Sequence, residues 1–352
     1  MEDIFGDESA FAADPENDSM QRPDDGTDEI AKQINRSIRK AFIKTGVIAT
    51  IIALILTLFI VFALPHIVSA FYYDPSKSIA DDNQYNQIAR DMSVYSELQM
   101  PEMGPELTVG TDSYGYGNYS YAIDSQFQVQ PDSDSVNSIS KVYTGNIKRN
   151  IVECYNYSDI NDLNVKNGYF NDECGEETGL EKMNDTDLYY TYVSLDKDIP
   201  YEQFFADYVD NDAYGTNGSW VWCGIKVAEE DNSSNHYNQG FYASTFVNKA
   251  SYEYDENKYP GLIYDTSDAN GIKSEEDAVQ HFSSMVSYLE DSNKFLDLDE
   301  ISEDLYFDGD EAGYVSDNGL KVYGFIFISD KGHIDNIVKD KNVKRVIVRE
   351  AE

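Results

Sequence analysis

The chain has 352 residues, with 65 Asp and Glu against 26 Lys and Arg, a net charge of −39. That charge repels phosphate backbones and anionic head groups, which excludes nucleic-acid binding by the bulk of the chain. A hydrophobic fraction of 41% and 28 Tyr residues supply enough apolar ring surface for a packed core, which excludes disorder throughout.

Residues 1–29 carry eleven acidic residues and a single Arg, with Pro15, Pro23 and Gly26 as breakers, and predict a mobile acidic tail. Two apolar islands interrupt it, around Phe5 and Phe11, of the size that short docking motifs have. Thr27 is the expected N-cap of a helix over 30–45. Ile30, Ile34, Ile38 and Phe42 recur every four residues, with Lys32, Arg36, Arg39, Lys40 and Lys44 between them. This is a basic amphipathic helix, which either rests against lipid head groups or docks on a partner.

Residues 46–67 follow as a transmembrane helix, uncharged over the 19 residues 46–64 and flanked by bases before and by Asp74, Asp81 and Asp82 after. The charge bias places the N-terminus in the cytoplasm. Val68-Ser69-Ala70 has the look of a signal-peptidase site, but the apolar run is longer than a signal peptide's, and the segment before it is too. Tyr72 and Tyr73 suit the membrane interface.

Residues 68–118, with Pro101, Pro105 and several glycines, are expected as a juxtamembrane linker. The strand-rich part of the outer domain is expected over 119–186, opening with the alternation of Tyr119, Tyr121, Ile123, Phe127 and Val129, in which Ser125 is the gap. An α+β domain is expected over 187–352: strands at 188–195, 220–227, 321–329 and 343–348, helices at 199–209 and 333–339, and a helix after Ser274 with Asp277 at the capping-box position. The fold class is therefore one transmembrane helix plus an extracytoplasmic α+β domain, its sheet mixed or antiparallel with short β-α-β units. Leu188–Ile199 and Val322–Ile334 repeat the pattern strand, Asp-Lys, helix.

Little in the chain carries chemistry. Three cysteines do not make a disulfide scaffold, although Cys154 and Cys174 have the means to pair; Cys223 alternates with Val221, Ile225 and Val227 as a core thiol. The histidines His66, His236, His281 and His333 are scattered, and no Cys-x-x-Cys, nucleophile elbow or phosphate-binding loop occurs. Thr266–Asp277 has part of the pattern of a calcium loop, but it lacks the terminal acids, and a turn plus a capping box account for it. No catalytic residue, metal ligand or cofactor is expected.

The layout resembles bacterial membrane-anchored anti-sigma factors with sigma-factor-regulator N-terminal and C-terminal regions. The N-terminal likeness runs from about Lys32 to Gly104 and includes Phe71-Tyr72-Tyr73-Asp74-Pro75 and Val94-Tyr95-Ser96-Glu97-Leu98. The C-terminal likeness runs from about Asp187 to Arg349, through Tyr192–Tyr201, Trp220-Val221-Trp222, His281-Phe282 and Val343–Val348. The resemblance implies a cytoplasmic segment that holds an extracytoplasmic-function sigma factor, and an outer domain that reports envelope state through an unknown envelope ligand or a small membrane partner. It supplies no catalytic residues, and the His and Cys-x-x-Cys of the zinc-binding subclass are absent. Phe5, Phe11, Ile30, Ile34, Ile38 and Phe42 are the candidate contact residues. A membrane-anchored surface module for a cell-wall polymer, peptide or cation is the alternative.

Overall fold

The computed structural model describes residues 25–79, 86–104, 106–132, 135–154, 179–211, 220–228, 239–244, 254–262, 271–298 and 311–351. Phe5, Phe11, Cys174, His236 and the calcium-like loop at 266–270 lie outside them, as does the side chain of Cys154. The chain divides into two units, Met1–Phe62 and Ala63–Glu352.

Among its described residues the first unit contains one α-helix, α1 (Asp25–Leu58). It begins two residues before Thr27, so Thr27 lies within its first turn instead of capping it. In the apolar stretch the hydroxyls of Thr50 and Thr57 donate to the carbonyls of Gly46 and Ala53 at 2.9 and 2.8 Å, which satisfies them without water. Phe59–Ala63 widens into a π turn just ahead of α2 (Leu64–Ser69). Pro65 explains this: it has no N–H, and its ring crowds the carbonyl four residues back.

The second unit is built on two antiparallel sheets. The first is a meander of β1 (Glu106–Gly115), β2 (Asn118–Asp132), β3 (Ser135–Lys148) and β4 (Ile151–Cys154). The second contains β5 (Leu188–Pro200), β6 (Val221–Ile225), β7 (Gln239–Ser244), β8 (Lys321–Asp330) and β9 (Val343–Glu350), in the order β7-β6-β8-β5-β9. The helices outside the sheets are α3 (Gln87–Gln99), the short α4 (Tyr201–Phe204), α5 (Glu275–Asp291), α6 (Asn293–Leu296), α7 (Glu311–Asn318) and α8 (Lys331–Ile337).

The second sheet has an internal symmetry. β5 leads through α4 to β6, which lies two places away beyond β8; β8 leads through α8 to β9, two places away beyond β5. Each is a split β-α-β unit with its two strands parallel, and the two units interlock around the antiparallel pair β5–β8. These are the segments that repeat in the sequence. Their turns differ, however. Asp330 caps α8, its carboxylate accepting from the N–H of His333 at 3.1 Å. Asp196-Lys197 stays within β5, at a register irregularity, and the strand continues to Pro200 before α4 begins.

Both faces of this sheet are buried. Val193, Phe325, Phe327 and Val346 face a core that contains Phe204, Phe282, Met285 and Ile334. Tyr190, Tyr192, Trp220, Trp222, Tyr242, Ile326, Ile328 and Ile347 form a second cluster on the other side. Two-sided burial is why β5 and β8 read as nearly continuous apolar runs instead of alternating. Gly240 is required by contact: a Cβ there would come within 2.0 Å of the Cys223 carbonyl and 2.4 Å of the Trp222 ring. Cys223 is fully buried, its thiol 3.5 Å from the Phe241 carbonyl.

Candidate functional site

The residues singled out for partner binding lie on α1. Ile30, Ile34, Ile38 and Phe42 are all exposed, Phe42 at 74%. Each four-residue step advances about 40° around a helix, so the stripe winds through about 120° from Ile30 to Phe42. On the same wheel Lys32, Arg36, Arg39 and Lys40 centre on the opposite side. The helix therefore presents one apolar and one cationic face.

Height along the axis separates lipid from protein as the surface the apolar face meets. Ile38 lies eight residues before Gly46, about 12 Å at ~1.5 Å per residue, and Ile30 about 24 Å. The polar layer of a bilayer extends only about 5–7 Å beyond its hydrocarbon. On a span whose hydrocarbon starts at Gly46, Phe42 would lie at head-group level and Ile30, Ile34 and Ile38 above it. Burial of each would be worth roughly 1.5–3 kcal/mol.

On the far side of the span the chain enters the second unit through a tight joint. The N–H of Gly117 donates to Ser69 Oγ at 3.0 Å, and the N–H of Tyr73 to Asn150 Oδ1 at 3.2 Å. Lys294 Nζ reaches the carbonyls of Ala70 and Tyr72, at 2.9 and 3.4 Å. Tyr73 was expected at the membrane interface. It is instead 3% exposed, its ring 5.7 Å from that of Phe295 and its hydroxyl donating to Asp91 Oδ2 at 2.6 Å. The buried carboxylate outcompetes the interface for that hydroxyl, because an unpaired buried charge is costly. Tyr288 also donates to Asp91, and Arg90 Nε donates to the Tyr288 hydroxyl at 2.8 Å. Burial raises the pKa of Asp91, against the pull of these hydrogen bonds.

The same helix, α3, makes a second buried polar node six residues, nearly two turns, further on. Glu97 Oε1 accepts from the N–H of Tyr242 at 3.1 Å and lies 3.0 Å from His281 Nε2. The Glu97 carbonyl accepts from Trp222 Nε1 at 2.6 Å, and the Tyr242 hydroxyl donates to the Pro101 carbonyl at 3.1 Å. The other ring nitrogen of His281 is 2.7 Å from the Gly261 carbonyl. That carbonyl only accepts, so Nδ1 carries a proton. Nε2 then faces the Glu97 carboxyl group, so both ring nitrogens have a buried oxygen partner. Glu97 also covers the edge of the sheet: the N–H of Tyr242 bonds to it, and the next carbonyl, of Ala243, accepts from Ile272 at 2.9 Å.

In the sequence His281 is one of four scattered histidines, and its partner Glu97 lies 184 residues earlier. Among the described residues no group of three or more His, Cys, Asp or Glu is placed to hold a metal. Ser274 caps α5 as expected, accepting from the N–H of Asp277 at 3.1 Å.

Residues 180–350, just under half of the chain, match the family model described as sigma factor regulator C-terminal. The match supports an anti-sigma regulator and a role in transcription regulation, a regulatory rather than an enzymatic family. No curated protein and no solved structure matches the chain. The helical segment Asp28–Ser69 is long and apolar enough to cross a membrane, which makes the chain a candidate single-pass membrane protein.

Proposed function

We propose that this chain is a membrane-tethered anti-sigma factor. The segment before the span lies in the cytoplasm and holds an extracytoplasmic-function sigma factor away from promoters. The domain after the span lies outside and responds to the state of the envelope. The observation that carries the reading is the exposed apolar stripe of α1, ahead of a candidate membrane span, on a chain whose C-terminal part matches a sigma-regulator family. Sigma factors present basic DNA-binding surfaces, which the acidic residues of 1–29 complement; the islands at Phe5 and Phe11 extend the contact.

The test is the double substitution Ile34→Asp and Ile38→Asp. It leaves the span and its basic flank intact, so insertion persists. Desolvating each carboxylate in an apolar interface costs a few kcal/mol, enough to lower affinity by more than a thousandfold for the pair. The expected outcome is loss of sigma-factor co-purification and constitutive expression of the sigma-dependent genes. If the variant is silent and no sigma factor co-purifies with the unaltered chain, the reading gives way to a surface binding module with a passive tail.

A further inference from the structure

Two hairpin tips meet the chain where it leaves the span. β1 and β2 are joined by Tyr116-Gly117 at φ 56° and 75°, and β3 and β4 by Arg149-Asn150 at φ 52° and 72°. Both are two-residue loops of the left-handed I′ type, in which Asn and Gly are the favoured residues. The tips are tied together, the N–H of Arg149 donating to the Gly117 carbonyl at 2.8 Å.

They are also tied to the helix end. Gly117 bonds Ser69, and a Cβ on Gly117 would fall 2.5 Å from the Tyr72 ring. A Cβ on Gly115 would lie 3.1 Å from Pro65 Cβ. Along the helical segment, about 20 residues from Gly46 cross ~30 Å of hydrocarbon and reach Pro65. The polar layer then takes in the next four residues or so. Both tips therefore sit at the height of the head groups.

The residues exposed at that height have the composition of a membrane interface. Phe71 is 78% exposed, Tyr114 68% and Ile151 51%, with Lys148 and Arg149 also exposed. Aromatic rings and cations favour the head-group zone. Asp74 and Asp112 are exposed at the same end, so the rim is matched to zwitterionic as well as anionic lipid. A large side chain at positive φ costs about 1 kcal/mol or more. Tyr116 and Arg149 each carry that cost at a first loop position where Asn would not.

Given that the helix crosses a membrane, we propose that this rim is a lipid-binding surface. Tyr114, Tyr116, Phe71, Ile151 and Arg149 seat in the phosphate and glycerol zone of the leaflet, and the domain rests on the bilayer instead of standing off on a stalk. The inference holds whichever side of the membrane the domain faces, so it does not fall with the anti-sigma reading.

The full chain, with Cys154 and Cys174 changed to Ser, is reconstituted in phosphatidylcholine vesicles containing a nitroxide-headgroup lipid. A fluorescent label is placed at Tyr114→Cys, at Ile151→Cys, or at Val142→Cys, which lies about 20 Å back along β3. The labels at 114 and 151 should be quenched at least threefold more than the label at 142. Equal quenching at all three overturns the proposal. A blue-shifted emission at 114 and 151 without quenching also overturns it, and assigns the rim to a second copy of the chain. Emission from Trp220 and Trp222 confirms in each case that the labelled domain is folded.

Discussion

Replacing Glu97 with Ala tests whether the polar node on α3 holds the second unit together. The substitution removes the acceptor for two buried donors, the N–H of Tyr242 and Nε2 of His281. A buried polar group left without its partner costs about 1–3 kcal/mol, so the two lost bonds cost about 2–6 kcal/mol. His281 is 1% exposed, so little water can replace the lost acceptor. The middle of that range is a loss of about 4 kcal/mol. The only two Trp residues in the chain, Trp220 and Trp222, are 2% and 0% exposed, so their emission reports this domain alone. Urea unfolding of the detergent-solubilised chain should move to a lower midpoint by about 2 M, for a slope near 2 kcal/mol/M. Glu97→Gln keeps an acceptor for Tyr242 and should lose about half as much. A midpoint shift below 0.3 M for the Ala variant would refute the reasoning, because it would mean that the node contributes nothing net.

Asp91 gives a test in pH. Burial holds its folded-state pKa above the unfolded value. Between those two values the folded chain keeps a proton that the unfolded chain has released, so stability falls as pH rises through the window that opens near pH 3.9. Asp91→Asn removes that contribution, and the difference in urea midpoint between the two chains should change with pH across the window; a constant difference refutes the assignment. For topology, protease applied to intact cells should degrade the region after residue 68 and spare a tag at residue 1. Survival of a C-terminal tag would reverse the orientation.

Much of the second sheet was legible because β5 and β8 are long apolar runs ended by Pro200 and by Asp330. Ser274 and Asp277 gave the start of α5 correctly for the same kind of local reason. The helix α3 was not legible. It contains Asp91, Ser93, Ser96, Glu97 and Gln99, all buried, so it has no clean apolar face for periodicity to find. Asp91 and Glu97 find their partners up to 197 residues away, and no local pattern encodes them. Tyr73 was misplaced on the same ground: a Tyr beside a span reads as interfacial until its hydroxyl finds a buried carboxylate. The stripe on α1 was fully legible, since Ile30 to Phe42 depends only on helical spacing. What it contacts is not a property of the single chain.

The joint between span and domain also sets how the chain can be cut. A protease takes its substrate as an extended strand in its own cleft. Between Ser69 and Tyr73 the backbone and its flanking side chains are engaged by Gly117, Asn150, Asp91 and Lys294, with no slack loop among them. At about 1 kcal/mol for each bond, opening all four would cost about 4 kcal/mol and leave roughly one chain in a thousand cleavable there at any moment. Anything that loosens the grip on Tyr73 raises that fraction tenfold for every ~1.4 kcal/mol removed. The stability of the second unit thus acts as a guard on the peptide bonds between Ser69 and Tyr73.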